Sequence, residues 1–256
     1  MRIKGKSITI TGAARGIGKS LAHKFFAEGA RIAVVDIDYE SVRSVAKEVE
    51  GIGLHCDVTD ENQIKNMISR VELEFGQIDI FVSNAGVYLD ETGHAASASN
   101  ETWKTNWELH VMSHVYAARS LLPGMIQRKN GYFIQVISAA ALLSQVGNAA
   151  YSATKQAALG FAESMAISHK SDGINVSVVC PQYVATEMLG YPANIIGRPS
   201  DSVFTPNDVA DAIVSGVKSE NFLILPHSEV FKYMNFKSNN YQKWIDEMVK
   251  LREKSL

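Results

Sequence analysis

Three residues in the second half of the chain have the types and spacing of an acid–base site. Tyr151 and Lys155, in the segment YSATK, lie four residues apart and share one face of a predicted helix. A neighbouring ammonium group favours the phenolate, so we expect Lys155 to lower the phenol pKa from about 10. Ser138 ends a predicted strand thirteen residues before Tyr151, where its hydroxyl could polarise a substrate oxygen.

The spacing of tyrosine and lysine is not sufficient evidence, because Tyr233 and Lys237 are also four residues apart. No serine stands before Tyr233 as Ser138 stands before Tyr151. We therefore interpret the second pair as part of a surface helix.

A glycine-rich turn follows the first predicted strand. The segment TGAARGIGKS places Gly12, Gly16 and Gly18 in a GxxxGxG spacing at the start of a helix. Glycines permit a tight turn and a close approach of the backbone, and a helix amino terminus offers unpaired N–H groups to a pyrophosphate. Three glycines also suit an ordinary turn between a strand and a helix, so the residues downstream decide the interpretation.

Acidic residues end the next two predicted strands. Asp36 lies about twenty residues after the glycine turn, where a carboxylate can accept both ribose hydroxyls of an adenosine and repels a 2′-phosphate. The predicted cofactor is therefore NAD rather than NADP. Arg15, in the turn itself, is a cation that could meet a 2′-phosphate and keeps NADP as the alternative. Asp57 either accepts from the adenine amino group or caps a helix together with Thr59.

The elements that must position these residues alternate between strand and helix. Most of the β-branched runs are apolar on consecutive residues, as in strands covered on both faces, and segments of helical period separate them. The pattern predicts an α/β protein, a doubly wound (Rossmann) parallel sheet of about seven strands with helices on both faces. The predicted strands are 7–11, 31–37, 54–58, 78–84, 132–138, 174–180 and 222–225.

Two segments in the last third of the chain fall outside this alternation. Residues 186–206 hold glycine and proline between two regular elements and are interpreted as a substrate loop or lid. Residues 228–252 have apolar positions at helical spacing and predict an amphipathic helix that covers the pocket or a neighbouring subunit.

Composition narrows the class of protein. The 256 residues, of which 46% are hydrophobic, suit one domain over 1–256 with a sizeable core. The formal charge of -2 gives no overall field for nucleic acid or an anionic membrane. Two distant cysteines give no disulfide framework. The sequence has no run of about twenty apolar residues, and its first segment resembles a strand, so we expect neither a membrane span nor a signal peptide. We expect a cytoplasmic protein without nucleic-acid or membrane partners.

As an ordered set, the motifs resemble the short-chain dehydrogenase/reductase family, in its single-domain form, over nearly the whole chain. The motifs that carry the resemblance are TGAARGIG (11–18), Asp36, the CDV triplet ending in Asp57 and Val58, SNAG (83–86) in place of the usual NNAG, Ser138, YSATK (151–155) and CPQYVATEM (180–188).

The resemblance implies a nicotinamide cofactor and reversible hydride transfer to or from a carbinol or carbonyl carbon. By analogy, Tyr151 is the general base in oxidation, Ser138 holds the substrate oxygen, and Lys155 binds the nicotinamide ribose. Val184 and Thr186 are implied to meet the nicotinamide carboxamide. The full implied cofactor set is Gly12, Arg15, Gly16, Ile17, Gly18, Asp36, Asp57, Val58, Asn84, Ala85, Gly86, Tyr151, Lys155, Val184 and Thr186.

The sequence departs from the family at His110. Relatives usually carry an asparagine seven residues after a tryptophan, and counting from Trp103 reaches His110. That asparagine kinks its helix and holds a water in the proton relay. Imidazole donates, accepts and titrates near neutrality, so His110 either runs the relay with an added pH dependence or fills space while its carbonyl holds the water. His114 lies four residues away, but no further ligand accompanies the two, and no metal is predicted.

A second departure is Gln182, where the family has glycine. A long amide there either narrows the pocket and bonds a polar substrate or points to solvent. Tyr88, Tyr183 and Met188 are candidate pocket walls beside Ser138 and Tyr151, although aromatic residues near such a site are as often plain core.

The predicted function is that of an NAD-dependent oxidoreductase acting on a small to medium, mostly apolar secondary alcohol or ketone. The alternatives are an NADP-dependent ketone or acyl reductase of the same family and a catalytically impaired nucleotide-binding regulatory protein. Epimerases and dehydratases share the Tyr–Lys pair but need a longer carboxyl-terminal region. Relatives are commonly homo-oligomers, dimers or tetramers, which pack through helices near 100–128 and 148–170, and the same is expected here by analogy.

Overall fold

A seven-stranded parallel sheet forms the centre of the protein in the computed structural model, which describes residues 1–89, 91, 93–192, 195 and 197–255. Its strands are β1 (Ser7–Thr11), β2 (Arg31–Asp36), β3 (Ile52–His55), β4 (Ile80–Ser83), β5 (Gly131–Val136), β6 (Ile174–Val179) and β9 (Leu223–Ile224), and two short strands outside it are β7 (Tyr183–Val184) and β8 (Val203–Phe204). The strand order of the central sheet is β3-β2-β1-β4-β5-β6-β9, and every neighbouring pair is parallel. The predicted α/β sheet of about seven strands is confirmed.

Helices connect the strands and lie on both faces of the sheet. They are α1 (Gly16–Ala27), α2 (Tyr39–Glu48), α3 (Glu61–Phe75), α4 (Asn100–Trp107), α5 (Ser113–Gln127), α6 (Ala140–Leu143), α7 (Ala149–His169), α8 (Pro206–Lys218), α9 (Glu229–Asn239) and α10 (Tyr241–Ser255). A π-helical turn, Glu108–Met112, joins α4 to α5. Within the described ranges, no helix combines the length and the hydrophobicity needed to cross a membrane.

Two apolar layers hold the helices on the sheet. Alternate residues of each strand point to opposite faces, so Ile80 and Val82 enter the layer under α1 and α8, whereas Phe81 between them enters the layer under α3, α5 and α7. Burial of strands on both faces explains the consecutive apolar residues in the sequence.

The strand order reverses between β1 and β4, which are neighbours in the sheet. Connections from these two strands leave in opposite directions, which opens a crevice outside their carboxyl ends. The glycine turn after β1 lies at this crevice. The fold therefore places the phosphate-binding candidate at the position where open α/β sheets bind ligands.

The predicted loop 186–206 contains short regular elements. Glu187–Leu189 forms a 3₁₀ turn, and β7 pairs with β8 in a separate two-stranded sheet. Residues 193, 194 and 196 of this loop lie outside the described part of the chain.

The tail differs from the single helix predicted over 228–252, because it forms two helices that meet at Asn240. There the backbone leaves the helical region (φ -142°, ψ 55°), and the Asn239 and Asn240 side chains donate to carbonyls of the preceding turn. Such local bonds compete with helix continuation. The break lets Trp244, which is 8% exposed, join a small apolar cluster with Leu143 of α6 and with Ala139, the residue before that helix.

Candidate active site

The structure brings Ser138, Tyr151 and Lys155 together at the carboxyl edge of the sheet. Ser138 follows β5 and its hydroxyl interacts with the Tyr151 phenol. Asn148 caps α7 by accepting the Tyr151 N–H at 3.0 Å, which fixes the first turn of the helix. One turn later, the Lys155 ammonium lies 5.3 Å from the centroid of the Tyr151 ring.

Burial dominates the titration of this group. It raises the pKa of the Tyr151 phenol, although the bond from Ser138 works in the opposite direction. It also lowers the pKa of Lys155 to about 7. Lys155 was predicted to lower the phenol pKa, but in the protein alone this pKa is raised.

The Lys155 side chain is buried and has no counter-ion in the described part of the chain. The residue is 4% exposed, and among the described residues its ammonium group has neither a hydrogen-bond acceptor nor a carboxylate partner. Buried charges are normally paired, so this nitrogen fits a ligand that brings acceptor oxygens.

His110 is fully buried in the π-helical turn and uses both ring nitrogens. Nε2 accepts the Val87 N–H at 3.3 Å, so the proton resides on Nδ1, which donates to Thr154 Oγ1 at 3.1 Å. Its ring also lies edge-on to that of Tyr151, with centroids 5.4 Å apart. The imidazole thus connects the loop after β4 with the helix that carries Tyr151.

This environment keeps His110 neutral. Burial, the positive charge of Lys155 and the nearby His114 together lower the pKa of His110 to about 2, against the effect of the Val87 bond. The expected titration near neutrality is therefore wrong for this ring. Burial likewise lowers the pKa of His114 to about 4. The described ranges hold no group of three or more His, Cys, Asp and Glu side chains able to bind a metal ion.

The loop after β4 is tied to both sides of the site. Asn84 Nδ2 donates to the carbonyls of Thr11 at 2.9 Å and Gly12 at 3.0 Å, which fixes the glycine turn. Gly86 lies next to His110 and Lys155, and Ala85 is closely packed against Gly12. Tyr88, a predicted pocket wall, lies edge-on to Tyr151 at 5.3 Å between centroids.

Sequence analysis missed two residues that join this loop to α7. Asn148 Nδ2 donates to the Leu89 carbonyl at 2.6 Å, and Glu91 Oε2 accepts the Ala149 N–H at 2.7 Å. An asparagine directly before a helix is a recognisable cap signal and could have identified Asn148. Nothing near Glu91 in the sequence indicates its distant partner.

The glycine turn fits a pyrophosphate. Gly12 has φ 63°, and a Cβ there would lie 2.7 Å from Ala85 Cα; one on Gly18 would lie 2.3 Å from the Gly12 carbonyl oxygen. Only glycine allows this close packing. Helix α1 begins at Gly16 without a side-chain cap, so its first N–H groups are available to a ligand. Ile17 packs against the apolar layer below.

Carboxylates surround the end of β2. Asp36 accepts the N–H groups of Ala14 at 3.0 Å and Asp38 at 3.1 Å, which fixes its carboxylate beside the glycine turn. Arg15 forms ion pairs with Asp38 at 3.1 Å and with Glu187 at 3.2 Å. The cation that kept NADP as an alternative is therefore neutralised by two acidic side chains.

Asp57 forms a local turn rather than the helix cap. Its Oδ1 accepts the Thr59 N–H at 2.9 Å and hydroxyl at 2.7 Å, whereas Asp60 caps α3 through the N–H groups of Asn62 and Gln63. Val58, beside it, is buried.

The segment after β6 reaches the glycine turn. Val184 is buried, and the methyl group of Thr186 lies 3.3 Å from the position that a Gly16 Cβ would take. Gln182 is partly buried, while Tyr183 and Met188, predicted as pocket walls, are each 50% exposed. The structure thus joins Thr186 to the cofactor side and leaves Tyr183 and Met188 half in solvent.

Comparisons with known proteins show to which family the chain is similar. The family model for short chain dehydrogenase matches residues 6–193. The meso-2,3-butanediol dehydrogenase of Serratia marcescens is 32% identical over 199 residues, which are 76% of this chain and 78% of the relative. The 3-oxoacyl-(acyl-carrier-protein) reductase FabG of Thermotoga maritima is 32% identical over 193 residues, 73% of this chain and 78% of the relative.

Solved structures share the architecture. A short-chain dehydrogenase/reductase from Burkholderia phymatum, in complex with NAD, superposes with a TM-score of 0.83 at 22% identity and covers 94% of this chain and 96% of its own. A 3-ketoacyl-(acyl-carrier-protein) reductase from Brucella melitensis, complexed with NADH, has a TM-score of 0.79 at 23% identity and covers 87% of this chain and 97% of its own. At these identities the likeness concerns the fold.

Proposed function

The chain belongs to the short-chain dehydrogenase/reductase family, and from this premise we propose that it is an NAD-dependent enzyme that interconverts a secondary alcohol and its ketone. The family is one of oxidoreductases that bind a nicotinamide cofactor. The observation that carries the proposal is the grouping of Ser138, Tyr151 and Lys155, whose ammonium has no partner among the residues described, beside a glycine turn that fits a pyrophosphate.

In this proposal Tyr151 moves the proton. Its phenol takes the proton from the substrate hydroxyl during oxidation and returns it to the carbonyl oxygen during reduction. Ser138 donates a hydrogen bond to the same oxygen and holds it near the phenol. The nicotinamide, when bound, accepts or supplies the hydride.

The raised phenol pKa gives the two directions different pH dependences. At neutral pH Tyr151 is protonated, which is the form that an acid needs in ketone reduction. Oxidation needs the phenolate, so its rate should rise as the pH increases above neutrality. Lys155 favours the phenolate only while it is charged, and acceptor oxygens on a bound ligand would restore that charge by raising its pKa from about 7.

The charge around the adenosine side supports NAD rather than NADP. Asp36 and Asp38 carry carboxylates next to the glycine turn, and Glu187 approaches it from the segment after β7. A 2′-phosphate placed there would meet three like charges, and Arg15 is already paired with two of them. The proposed preference therefore rests on an excess of carboxylates.

The names of the relatives bear on the substrate. The Serratia marcescens relative is named for a small diol and the Thermotoga maritima relative for a 3-oxoacyl group. Both names describe a secondary alcohol and ketone pair. We propose the same functional group for this chain and a mostly apolar substrate of small to medium size.

A rate assay tests the proposal. NADH formation from NAD is measured with a panel of secondary alcohols, NADP is run in parallel, and NADH consumption is measured with the matching ketones. We expect turnover with NAD and a smaller rate with NADP. Asp36→Ala should narrow this preference, whereas Asp211→Ala, which removes an exposed carboxylate paired with Lys24, should not.

Two outcomes would contradict the proposal. A higher rate with NADP, unaffected by Asp36→Ala, would remove the cofactor assignment and favour the NADP-dependent reductase. An absence of both turnover and NADH binding would remove the enzyme assignment.

A further inference from the structure

A buried histidine lies under the segment that follows β6. His227 is 0% exposed, its Nδ1 accepts the Gln182 N–H at 3.2 Å, and its Nε2 is 3.1 Å from the Tyr183 carbonyl oxygen. Because Nδ1 accepts, the proton resides on Nε2, which donates to Tyr183. One neutral ring thus forms hydrogen bonds with the backbone of two consecutive residues, Gln182 and Tyr183, which precede it by 45 and 44 positions.

The ring is itself held by a stack of side chains. Its face lies on the ring of Phe204, with centroids 4.0 Å apart. The Arg198 guanidinium lies 3.6 Å from the centroid of the same Phe204 ring and forms two bonds to Asp208, at 3.0 and 3.1 Å. Asp208 also belongs to the capping box of α8. The stack therefore connects His227 to a helix terminus through bidentate and aromatic contacts.

The charge state of His227 agrees with its hydrogen bonds. Burial lowers the pKa of His227 and outweighs the opposite effect of Glu229. A neutral ring is required, since a protonated Nδ1 could not accept the Gln182 N–H.

The segment that His227 holds connects the two halves of the candidate site. At one end the Pro181 carbonyl accepts the Ala139 N–H at 2.8 Å, next to Ser138. At the other end Val184 is buried in β7, and Thr186 packs against Gly16. A displacement of residues 182–186 would therefore change the distance between the substrate side and the cofactor side.

We propose that His227 is a positioning residue that fixes residues 182–186 for binding of the nicotinamide half of the cofactor. This inference rests on the proposed function, because that segment matters only if a nicotinamide cofactor binds. His227 contacts backbone groups, so it acts through the segment and not on the reacting atoms. Neither the family motifs nor the spacing of residues in the sequence identifies it.

The experiment compares NADH, which contains the nicotinamide half of the cofactor, with AMP, which lacks it. Dissociation constants of NADH and of AMP are measured for the wild type, His227→Phe, His227→Asn and a control, His169→Phe. His169 lies at the far end of α7. Phenylalanine keeps the stack on Phe204 but removes both hydrogen bonds, whereas asparagine can still offer an acceptor to the Gln182 N–H.

We expect His227→Phe to raise the Kd for NADH about tenfold, the effect of leaving a buried peptide group unpaired. The Kd for AMP should stay within about twofold, since adenosine contacts are remote from His227. His227→Asn should recover part of the loss, and the control should bind both ligands as the wild type does. If the phenylalanine variant does not fold, the asparagine variant decides, with a smaller rise for NADH alone.

Equal losses for NADH and AMP would indicate a general structural role and overturn the inference, as would an unchanged NADH constant in both variants. Failure of the wild type to bind NADH would overturn the proposed function and the inference with it. The wild-type measurement thus separates the two failures.

Discussion

The amino edge of the central sheet, where its strands begin, and the carboxyl edge, where they end, differ in whether a buried charge has partners. At the amino edge Asp79, 5% exposed, accepts from the Ser7 N–H at 2.9 Å, the Lys6 ammonium at 3.2 Å and the Gln77 amide at 2.9 Å. At the carboxyl edge Lys155, 4% exposed, has no hydrogen-bond partner among the described residues.

We interpret the difference as one between a group that serves folding, Asp79, and a group that we propose to serve ligand binding, Lys155. A buried charge whose bonds are all made helps to fix the strands around it, whereas an unpaired one lowers the free energy of unfolding. Such a group persists where a ligand uses it. Asp79 and Lys155 are therefore the two residues through which this comparison can be tested.

The largest effect should come from Tyr151→Phe, which removes the hydroxyl that we propose to transfer the proton and little else. We expect kcat to fall by about 10²–10⁴, the usual contribution of a positioned acid or base. The Kd for NADH should change by no more than about twofold, since the ring remains. Steady-state rates and fluorescence titration with NADH measure the two quantities.

The matched control is Tyr233→Phe, in the second Tyr–Lys pair. Tyr233 is 43% exposed and lies on α9, away from the sheet edge. Its removal should leave kcat unchanged. Substantial turnover by Tyr151→Phe would take Tyr151 out of the mechanism.

Lys155→Met should stabilise the protein in the absence of nucleotide. The folded state lowers the pKa of Lys155 from 10.5 to about 7, so at or below neutral pH folding carries the full cost of burying a charge. We expect a gain of about 4 kcal/mol in the free energy of unfolding at pH 7, and a smaller gain as the pH rises towards 10. Urea unfolding at several pH values measures it.

The same variant should lose NADH affinity and turnover. Lys237→Met is the control, because the Lys237 ammonium donates to the Leu142 carbonyl at 2.7 Å and its loss should give no gain in stability. A less stable Lys155→Met protein would mean that the ammonium group has a partner in the folded protein and would end the contrast between the two edges.

Asp79→Asn should have the opposite effect at the amino edge. Burial raises the pKa of Asp79, but the bonds from Ser7 and Lys6 outweigh it, and the pKa lies below its ordinary value. We expect a loss of about 2 kcal/mol at neutral pH, as for hydrogen bonds to a charged group. The contribution is present above the unfolded pKa and is lost as the pH falls through the folded one, so wild type and variant should converge below about pH 4.

The turnover rate distinguishes Asp79→Asn from Tyr151→Phe and Lys155→Met. At temperatures where it remains folded, Asp79→Asn should turn over at the wild-type rate, because Asp79 lies at the opposite end of the strands from Tyr151. A reduced rate in the fully folded variant would show that the two edges are coupled.

The sequence predicted what depends on local pattern. Strand number follows from apolar runs, and the places of Gly12, Ser138 and Tyr151 follow from strand ends and helix starts, so short-range rules suffice. Of the two roles predicted for Asp57, the helix cap was wrong, because Asp60 caps α3 and Asp57 forms a turn with Thr59. Both residues are aspartates just before the helix, and only the backbone geometry decides between them.

What the sequence could not predict depends on contacts between distant segments. His227 bonds residues 44 and 45 positions away, and Glu91 caps a helix 58 positions away. The π-helical turn at Glu108–Met112 inserts a residue into a helix whose apolar pattern still reads as continuous. The pKa of His110 follows from burial, which spacing does not reveal.

Substitution of His110 has the smallest expected effect and tests one specific pair of hydrogen bonds. His110→Ala leaves the Val87 N–H and the Thr154 hydroxyl without their shared partner, and we expect a loss of ~1–2 kcal/mol in stability and about tenfold in rate. His110→Asn restores a side chain that can accept and donate, and should recover most of both. Because burial keeps the ring neutral, neither variant should change the pH profile of kcat between pH 5 and about 8. A wild-type rate for the alanine variant would show that the ring only fills space, whereas an inflection near neutrality that disappears in His110→Asn would show that the imidazole carries the proton after all.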